Sequence, residues 1–315
     1  MEEKITINAL FDMHMKAKQK LIRDNTMYRY TKMYNKYLRK QIGELYVEDV
    51  SYSEILTLYS ELYGKLSRNT VKFLNAILHS MFRTAQRNRI ISFNPCDNIM
   101  RDLKEDRINR TRVEVLTKEE VNIFLAAVKQ NEEYTGLYEL FYILFGTGLR
   151  SGELCALTWN NIDLENKEII ITNNVTYNNV KKREEVSQPK TQAGYRIIPM
   201  LPEIYEILNS LKDKNGNEYI FTRQKDQLYT NQILNKAIKS IVEKYNQEAE
   251  FNHQLPLFTC HMARKTFCSR LCEQNINPKV LQEIMGHSSI QVTMDIYTRL
   301  TKQFKKNSLE KYHIF

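Results

Sequence analysis

The 315-residue chain carries 46 Lys and Arg against 37 Asp and Glu, a formal net charge of +9, with 42% hydrophobic and 26% charged residues. That much apolar side chain excludes a disordered polypeptide, and the length suits two domains of ordinary size. With nine glycines and no GxxxxGK[ST] or GxGxxG segment, a nucleotide cofactor loses its usual cradle; no apolar run approaches the ~18 residues of a membrane span.

Met1-Glu2-Glu3-Lys4 lacks the basic-then-apolar order of a secretory signal, so a cytoplasmic location is expected. The first hundred residues read as helices. Apolar positions recur at helical spacing in Ile7, Leu10, Phe11 and Met15, in Met33, Tyr34, Tyr37 and Leu38, and from Val71 through Phe82. Ser51 with Glu54, and Thr117 with Glu120, have capping-box spacing and predict helix starts. Four helices with a basic surface follow. Residues 1–110 have a net charge of +7 against +2 for the remainder, which suits a first part that faces a polyanion.

Asn94-Pro95-Cys96-Asp97 and the charged stretch Arg101 to Arg112 cannot bury themselves and read as a boundary. We expect a helical domain over 1–108, a linker over 109–116 and a second domain over 117–315. The second domain opens with helix through Phe141 to Phe145. It turns to β-branched runs at Ile169–Thr172, Val175–Tyr177 and Tyr195–Pro199, then, after Tyr219-Ile220-Phe221, returns to helical spacing. The fold class is mainly α with a small antiparallel β-sheet. The five cysteines, Cys96, Cys155, Cys260, Cys268 and Cys272, form no CxxC pair. Cys268 and Cys272 stand at i, i+4 near His261, but buried free thiols are the commoner outcome, and neither a metal nor a disulfide is expected.

Four segments carry chemistry. In Thr147-Gly148-Leu149-Arg150-Ser151-Gly152-Glu153-Leu154 a glycine turn leads into a helix, with Arg150 on the first turn beside free backbone N–H groups that suit a phosphate, and Glu153 three residues on. His261-Met262-Ala263-Arg264 sets an imidazole and a guanidinium at i, i+3, able to reach one anion. Gly286-His287-Ser288-Ser289 precedes Tyr297, which lies ten residues after His287; Lys190 sits in Ser187-Gln188-Pro189-Lys190-Thr191 before a strand. Each segment alone is commonplace: a surface ion pair, a chance helix pattern, a packed tyrosine, a turn lysine.

Together and in order they resemble the tyrosine recombinase (phage integrase) family, most like integrases of conjugative transposons. The family's set of Arg, Lys, His-x-x-Arg, His and Tyr is matched by Arg150, Lys190, His261, Arg264, His287 and Tyr297, and the words TGLRSGEL and LQEIMGHSS agree over roughly residues 117–300. Ala263 and Lys265 depart from the family's commoner Leu and His, at positions without a catalytic role there. The resemblance implies a helical core-binding domain followed by a mixed α/β catalytic domain with a C-terminal tail. Many relatives carry another small N-terminal domain that nothing here fits, so a shorter type or a truncated chain is expected.

The activity implied is site-specific DNA recombination through a 3′-phosphotyrosyl intermediate and a Holliday junction, excising and integrating a mobile element without cofactor or ATP. Tyr297 is the expected nucleophile. Arg150 and Arg264 would clamp the nonbridging oxygens, because guanidinium forks keep their charge. Lys190 would protonate the leaving 5′-oxygen, His261 would move the tyrosine's proton, His287 would hydrogen-bond the phosphate, and Glu153 would orient Arg150 or a neighbour from behind. Lys32, Lys36, Arg39, Lys40, Arg83, Arg87 and Arg89 are candidates for DNA phosphate contacts. The expected partners are double-stranded DNA, three further copies in a homotetramer joined through the tail beyond Tyr297, and an accessory DNA-bending or excision factor, with nucleoid association when bound. Two alternatives remain: a DNA-relaxing enzyme like type IB topoisomerases, against which the Gly-His before Tyr297 speaks, and a non-catalytic DNA-binding regulator, which would not need all six positions.

Overall fold

The computed structural model describes residues 4–103, 115–212 and 218–298. The chain divides into two compact units, residues 1–110 with 178–183, and residues 111–177 with 184–315. Most of the expected linker, and the tail from Leu300 to Phe315, lie outside the described residues.

In the first unit the helices are α1 (Ile7–Lys18), α2 (Asp24–Tyr37), α3 (Tyr52–Tyr63), α4 (Arg68–Arg87) and the single turn α5 (Ile99–Asp102). Side-chain oxygens of Thr6, Ser51 and Ser67 cap α1, α3 and α4, and Ser51 with Glu54 closes the capping box expected from the sequence. The apolar positions at helical spacing turn inward together: Ile7, Tyr34, Leu38, Ile55, Tyr59, Leu74 and Phe82 are fully buried. Phe11 stacks on Tyr34 with ring centroids 3.8 Å apart.

The second unit begins with α6 (Lys118–Gln130), whose N-cap Thr117 and Glu120 form the second predicted capping box. The residue before it is fastened at both backbone groups: Leu116 N–H donates to Thr266 Oγ1 at 3.0 Å, and its carbonyl accepts from Arg270 Nη2 at 2.6 Å. Next come α7 (Tyr138–Thr147) and the four-residue α8 (Ser151–Leu154), followed by β1 (Ile162–Asp163), β2 (Glu168–Ile171), β3 (Asn174–Asn178), β4 (Arg183–Ser187) and β5 (Arg196–Pro199). The remaining helices are α9 (Pro202–Lys212), α10 (Asn231–Glu248), α11 (Cys260–Glu273), α12 (Pro278–Met285) and α13 (Ile290–Thr298). An aromatic cluster anchors this core, with Phe124 edge-on to Phe141 at 5.2 Å and to Phe258 at 4.9 Å.

The β-structure is two sheets where the sequence led us to expect one. Antiparallel β1, β2 and β5 form a three-stranded sheet in the register Ile162↔Ile169↔Ile198, while β3 and β4 pair separately as a ribbon. Strand β4 reads Arg-Glu-Glu-Val-Ser and has almost none of the β-branched content that marks a half-buried strand, so its sequence gives no signal. Tyr219-Ile220-Phe221, where the chain turns back to helical spacing, lies outside both sheets. It makes one bridge, Thr158↔Tyr219, and is held because Ile220 and Phe221 are buried.

Two left-handed glycines end the helices that lead into the site. Gly148, at φ 62°, stops α7 two residues before Arg150, and Gly286, also at φ 62°, stops α12 just before His287. A Cβ on Gly148 would stand 2.3 Å from a ring carbon of Phe267. Gly148→Ala therefore combines a strained backbone with a clash and is expected to lower stability by about 2–4 kcal/mol, read from the urea unfolding midpoint.

Candidate active site

The site is assembled around a carboxylate. Glu153 is almost completely buried on α8, and its two oxygens take four hydrogen bonds. Arg196 of β5 donates to both, Nη1 to Oε1 at 3.0 Å and Nη2 to Oε2 at 2.8 Å. Arg150 donates to both as well, Nη1 to Oε1 at 2.6 Å and its backbone N–H to Oε2 at 2.8 Å. Burial alone would raise the Glu153 pKa; the hydrogen bonds and charge of Arg196, and then Arg150, outweigh it and hold the carboxyl at about 2. Glu153 is therefore a permanent anion at neutral pH.

Arg150 is the N-cap of α8 rather than a residue of its first turn, and its own N–H is taken by Glu153. A helix of one turn whose N-terminal N–H is occupied contributes little as a phosphate grip, which leaves that task to the side chain. Its Nη2 donates to the Gly286 carbonyl at 2.8 Å, and the side chain is still 42% exposed. Arg264, on α11, is buried, with Nη1 donating to the Gly148 carbonyl at 2.7 Å and Nη2 to the Met285 carbonyl. Burial, then the charge of Arg150, lower its pKa to about 9, so it stays protonated at neutral pH.

Two histidines flank these arginines. His287 Nδ1 lies 2.9 Å from Oγ1 of the wholly buried Thr293, and the His287 carbonyl accepts from Gln282 Nε2 at 3.0 Å. Burial first, then Arg264, Arg150, Arg196 and His261, push the His287 pKa down to about 4. His261 is lowered too, by burial and then by Lys265, Arg264 and Arg150. A cavity of about 260 Å³ is lined by His261, Arg264, Lys265 and His287 together with Asp295 and Ile296 of α13. Fixed cations and neutral imidazoles around one cavity suit an anion that can accept hydrogen bonds.

The structure brings Arg150, Arg264, His261, His287 and Glu153 together, and it leaves two candidates apart. Lys190 is exposed in the turn after β4, does not line the cavity, and has no hydrogen-bond or ion-pair partner among the described residues. The Tyr297 hydroxyl donates to the Ile276 carbonyl beyond the end of α11, not to either arginine or histidine. Its ring packs with the small core of Cys268, Cys272, Leu281 and Met285. Burial, then Cys272 and Cys268, raise its pKa to about 12. Those cysteines are fully buried, and among the described residues no His, Cys, Asp and Glu side chains gather to hold a metal ion.

Arg196 and Thr293 escaped the sequence reading. Arg196 had a signal: it shares a strand face with buried Ile198, opposite exposed Ile197, and a cation on a buried face requires an anion to meet it. Thr293 had none, since one threonine on a short helix is unremarkable in sequence.

Of the residues proposed to touch DNA, Lys32, Lys36 and Lys40 are exposed on and just after α2, and Arg83, Arg87 and Arg89 on and just after α4. Arg39 differs. It bonds to Asp12 at 2.9 Å and Asn35 at 2.7 Å with its guanidinium 5.3 Å from the Tyr34 ring centroid, so it serves the first unit's own packing.

The profile of the phage integrase family matches residues 114–303. The chain belongs to the phage integrase family, that of the tyrosine recombinases. A XerC-like tyrosine recombinase of Caldanaerobacter subterraneus subsp. tengcongensis is 29% identical over 307 residues, covering 90% of this chain and 76% of that protein. The transposase from transposon Tn916 of Enterococcus faecalis is 30% identical over 246 residues, 74% of this chain and 58% of that protein, so the match spans little more than half of the latter. Among solved structures, the Tn1549 transposon integrase in complex with a circular intermediate DNA superimposes with a TM-score of 0.85 at 27% identity, over 98% of this chain and 99% of that one.

A histidine whose folded-state pKa is depressed refuses a proton that the unfolded chain accepts. The His287 contribution to stability is therefore complete above its ordinary value of 6.5 and is lost as pH falls through about 4. An NMR titration of the imidazole is expected to show its midpoint near about 4 in the free protein, and a higher one when inorganic phosphate neutralises the surrounding cations.

Proposed function

We propose that this chain cuts and rejoins double-stranded DNA at specific sites by transesterification, with Tyr297 as nucleophile, to excise and integrate a mobile element. The observation that carries this reading is the grouping of Arg264, His261 and His287 on one cavity, with Arg150 bonded to the Gly286 carbonyl next to His287, in a phage integrase chain whose Tyr297 follows the cavity-lining Ile296 in sequence.

In the proposed reaction the phosphodiester sits between the two guanidiniums, which hold the charge that grows on its nonbridging oxygens. Neutral His287, its Nδ1 engaged by Thr293, offers Nε2–H as a hydrogen bond that does not depend on charge. The Tyr297 oxygen attacks phosphorus, its proton passes to His261, and the phosphorus–O5′ bond breaks as Lys190 gives that oxygen a proton. A 5′-hydroxyl from a second duplex then attacks the phosphotyrosyl ester and releases Tyr297, so bond energy is conserved and no ATP is consumed.

Docked at Ile276, with its pKa raised to about 12, the phenol is a poor nucleophile, and the reaction requires α13 to shift. That helix is lightly held: among its described side chains only Thr293 is fully buried, while Ile290, Val292 and Met294 are 42%, 46% and 36% exposed. The turn bearing Lys190 must likewise close on the phosphate. The lysines of α2 and the arginines of α4 are proposed phosphate contacts, and residues beyond Thr298 the link to neighbouring subunits in a tetramer. Action on a bacterial genome, with an accessory DNA-bending or excision factor, places the protein in the cytoplasm.

The test uses a randomised pool of nicked duplexes incubated with the protein and resolved on a denaturing gel. A covalent protein–DNA adduct is expected, absent with Tyr297→Phe, and about 100- to 1,000-fold slower to form with Arg150→Ala. An adduct that persists in Tyr297→Phe refutes the assignment. On the captured duplex, affinity is expected to fall steeply with salt, and the slope to diminish by about one for each of Lys36 or Arg87 replaced by Ala. Removing residues after Thr301 is expected to leave DNA binding intact and to abolish tetrameric synapses, as read by native gel.

A further inference from the structure

We infer that Arg196, outside the expected catalytic set, is a positioning residue that keeps Arg150 available to the DNA phosphate by balancing the charge of Glu153. The inference rests on the function proposed above and adds to it.

Its first support is connectivity. The Arg196 side chain is 5% exposed and reaches three elements: both oxygens of Glu153 on α8, the Ile284 carbonyl near the end of α12 through Nε at 2.6 Å, and the Gly194 carbonyl before its own strand at 3.4 Å. Gly286, whose carbonyl receives Arg150 and whose successor is His287, lies directly on this guanidinium. A Cβ there would stand 3.0 and 3.1 Å from the Arg196 side chain. One buried fork therefore fixes the turn that carries Arg150 relative to the turn that carries His287.

The second support is charge. A lone buried carboxylate beside Arg150 would pair with it fully and cancel the charge that a phosphate must meet. Here the fork–fork pair is made with Arg196, leaving Arg150 bound to Glu153 by one side-chain contact and 42% exposed. With two guanidiniums against one carboxylate, a net positive charge remains at the phosphate-facing member. Arg196 does not line the cavity that Arg264 and His287 share, its guanidinium being taken by Glu153 and the Ile284 carbonyl, and its effect passes through Glu153.

The two supports can be separated by experiment on the captured nicked duplex, measuring single-turnover adduct formation and DNA affinity side by side. Arg196→Met is expected to slow cleavage by about 100-fold while affinity changes less than about threefold. Adding Glu153→Gln removes the uncompensated carboxylate, keeps an acceptor for the Arg150 N–H, and is expected to recover about tenfold in rate. A purely structural role predicts instead that the double variant is as slow as Arg196→Met, or slower.

Arg196→Lys preserves the charge and provides the reading where Arg196→Met does not fold, as judged by circular dichroism. It is expected to cleave faster than Arg196→Met and to gain nothing from Glu153→Gln, because the carboxylate is still balanced. Unaltered cleavage in Arg196→Met, parallel loss of cleavage and affinity, absence of recovery in the double variant, or equal recovery in the lysine background overturns the inference. If the parent chain makes no Tyr297-dependent adduct, the underlying function fails instead, and the inference falls with it.

Discussion

The site in the second unit is organised by a single, almost completely buried anion. The Glu153 carboxylate lies between two guanidiniums and a backbone N–H, and the cations it holds are in turn bonded to carbonyls at the C-terminal end of α12. Removing one partner from such a buried pair costs about 3–5 kcal/mol, because the other charge is left without compensation. That penalty makes the geometry stiff. The strand β5, the turn after α7 and the turn after α12 cannot drift independently, and those are the pieces of backbone that present Arg150 and His287. Arg264 ties the same turns from beneath through Gly148 and Met285.

What could be read from the sequence follows the range of the interactions involved. The helices of both units, their capping boxes and their buried faces depend on residues three or four positions apart, and these were legible. The grouping of Arg150, Arg264, His261 and His287 was legible because they fall within short words of fixed order. Arg196 and Thr293 were not, since their meaning comes from partners 43 residues and six residues away across folded turns. Strand β4 was missed for the opposite reason: an exposed ribbon needs backbone pairing but no apolar side chains, so its composition looks like a loop. Arg39 looked like a surface cation and proved to be a packing element, because the aromatic shelf of Tyr34 and the carboxylate of Asp12 meet it only in three dimensions.

The electrostatics of the site also divide labour. Burial first, and then clustered positive charge, depress both histidines, so imidazoles that would be half-protonated near neutrality are instead neutral hydrogen-bonding groups. A neutral His261 can accept a proton, which a charged one could not. On the proposed reading, the arginines that would meet the phosphate also help to keep a base neutral beside it, and an arriving phosphate, by reducing the local field, would make that base stronger.

The docking of Tyr297 against Ile276 bears on what happens when this protein meets the wrong DNA. A chain with a basic surface will scan far more incidental sequence than target, and an exposed phenol next to an arginine pair would scar the chromosome at each stop. If Tyr297 is the nucleophile, a hydroxyl tethered to a carbonyl with its proton held tightly would be withheld from such encounters. On the proposed reading the unliganded shape of the protein would itself guard against damage, because Tyr297 must leave Ile276 before it can attack.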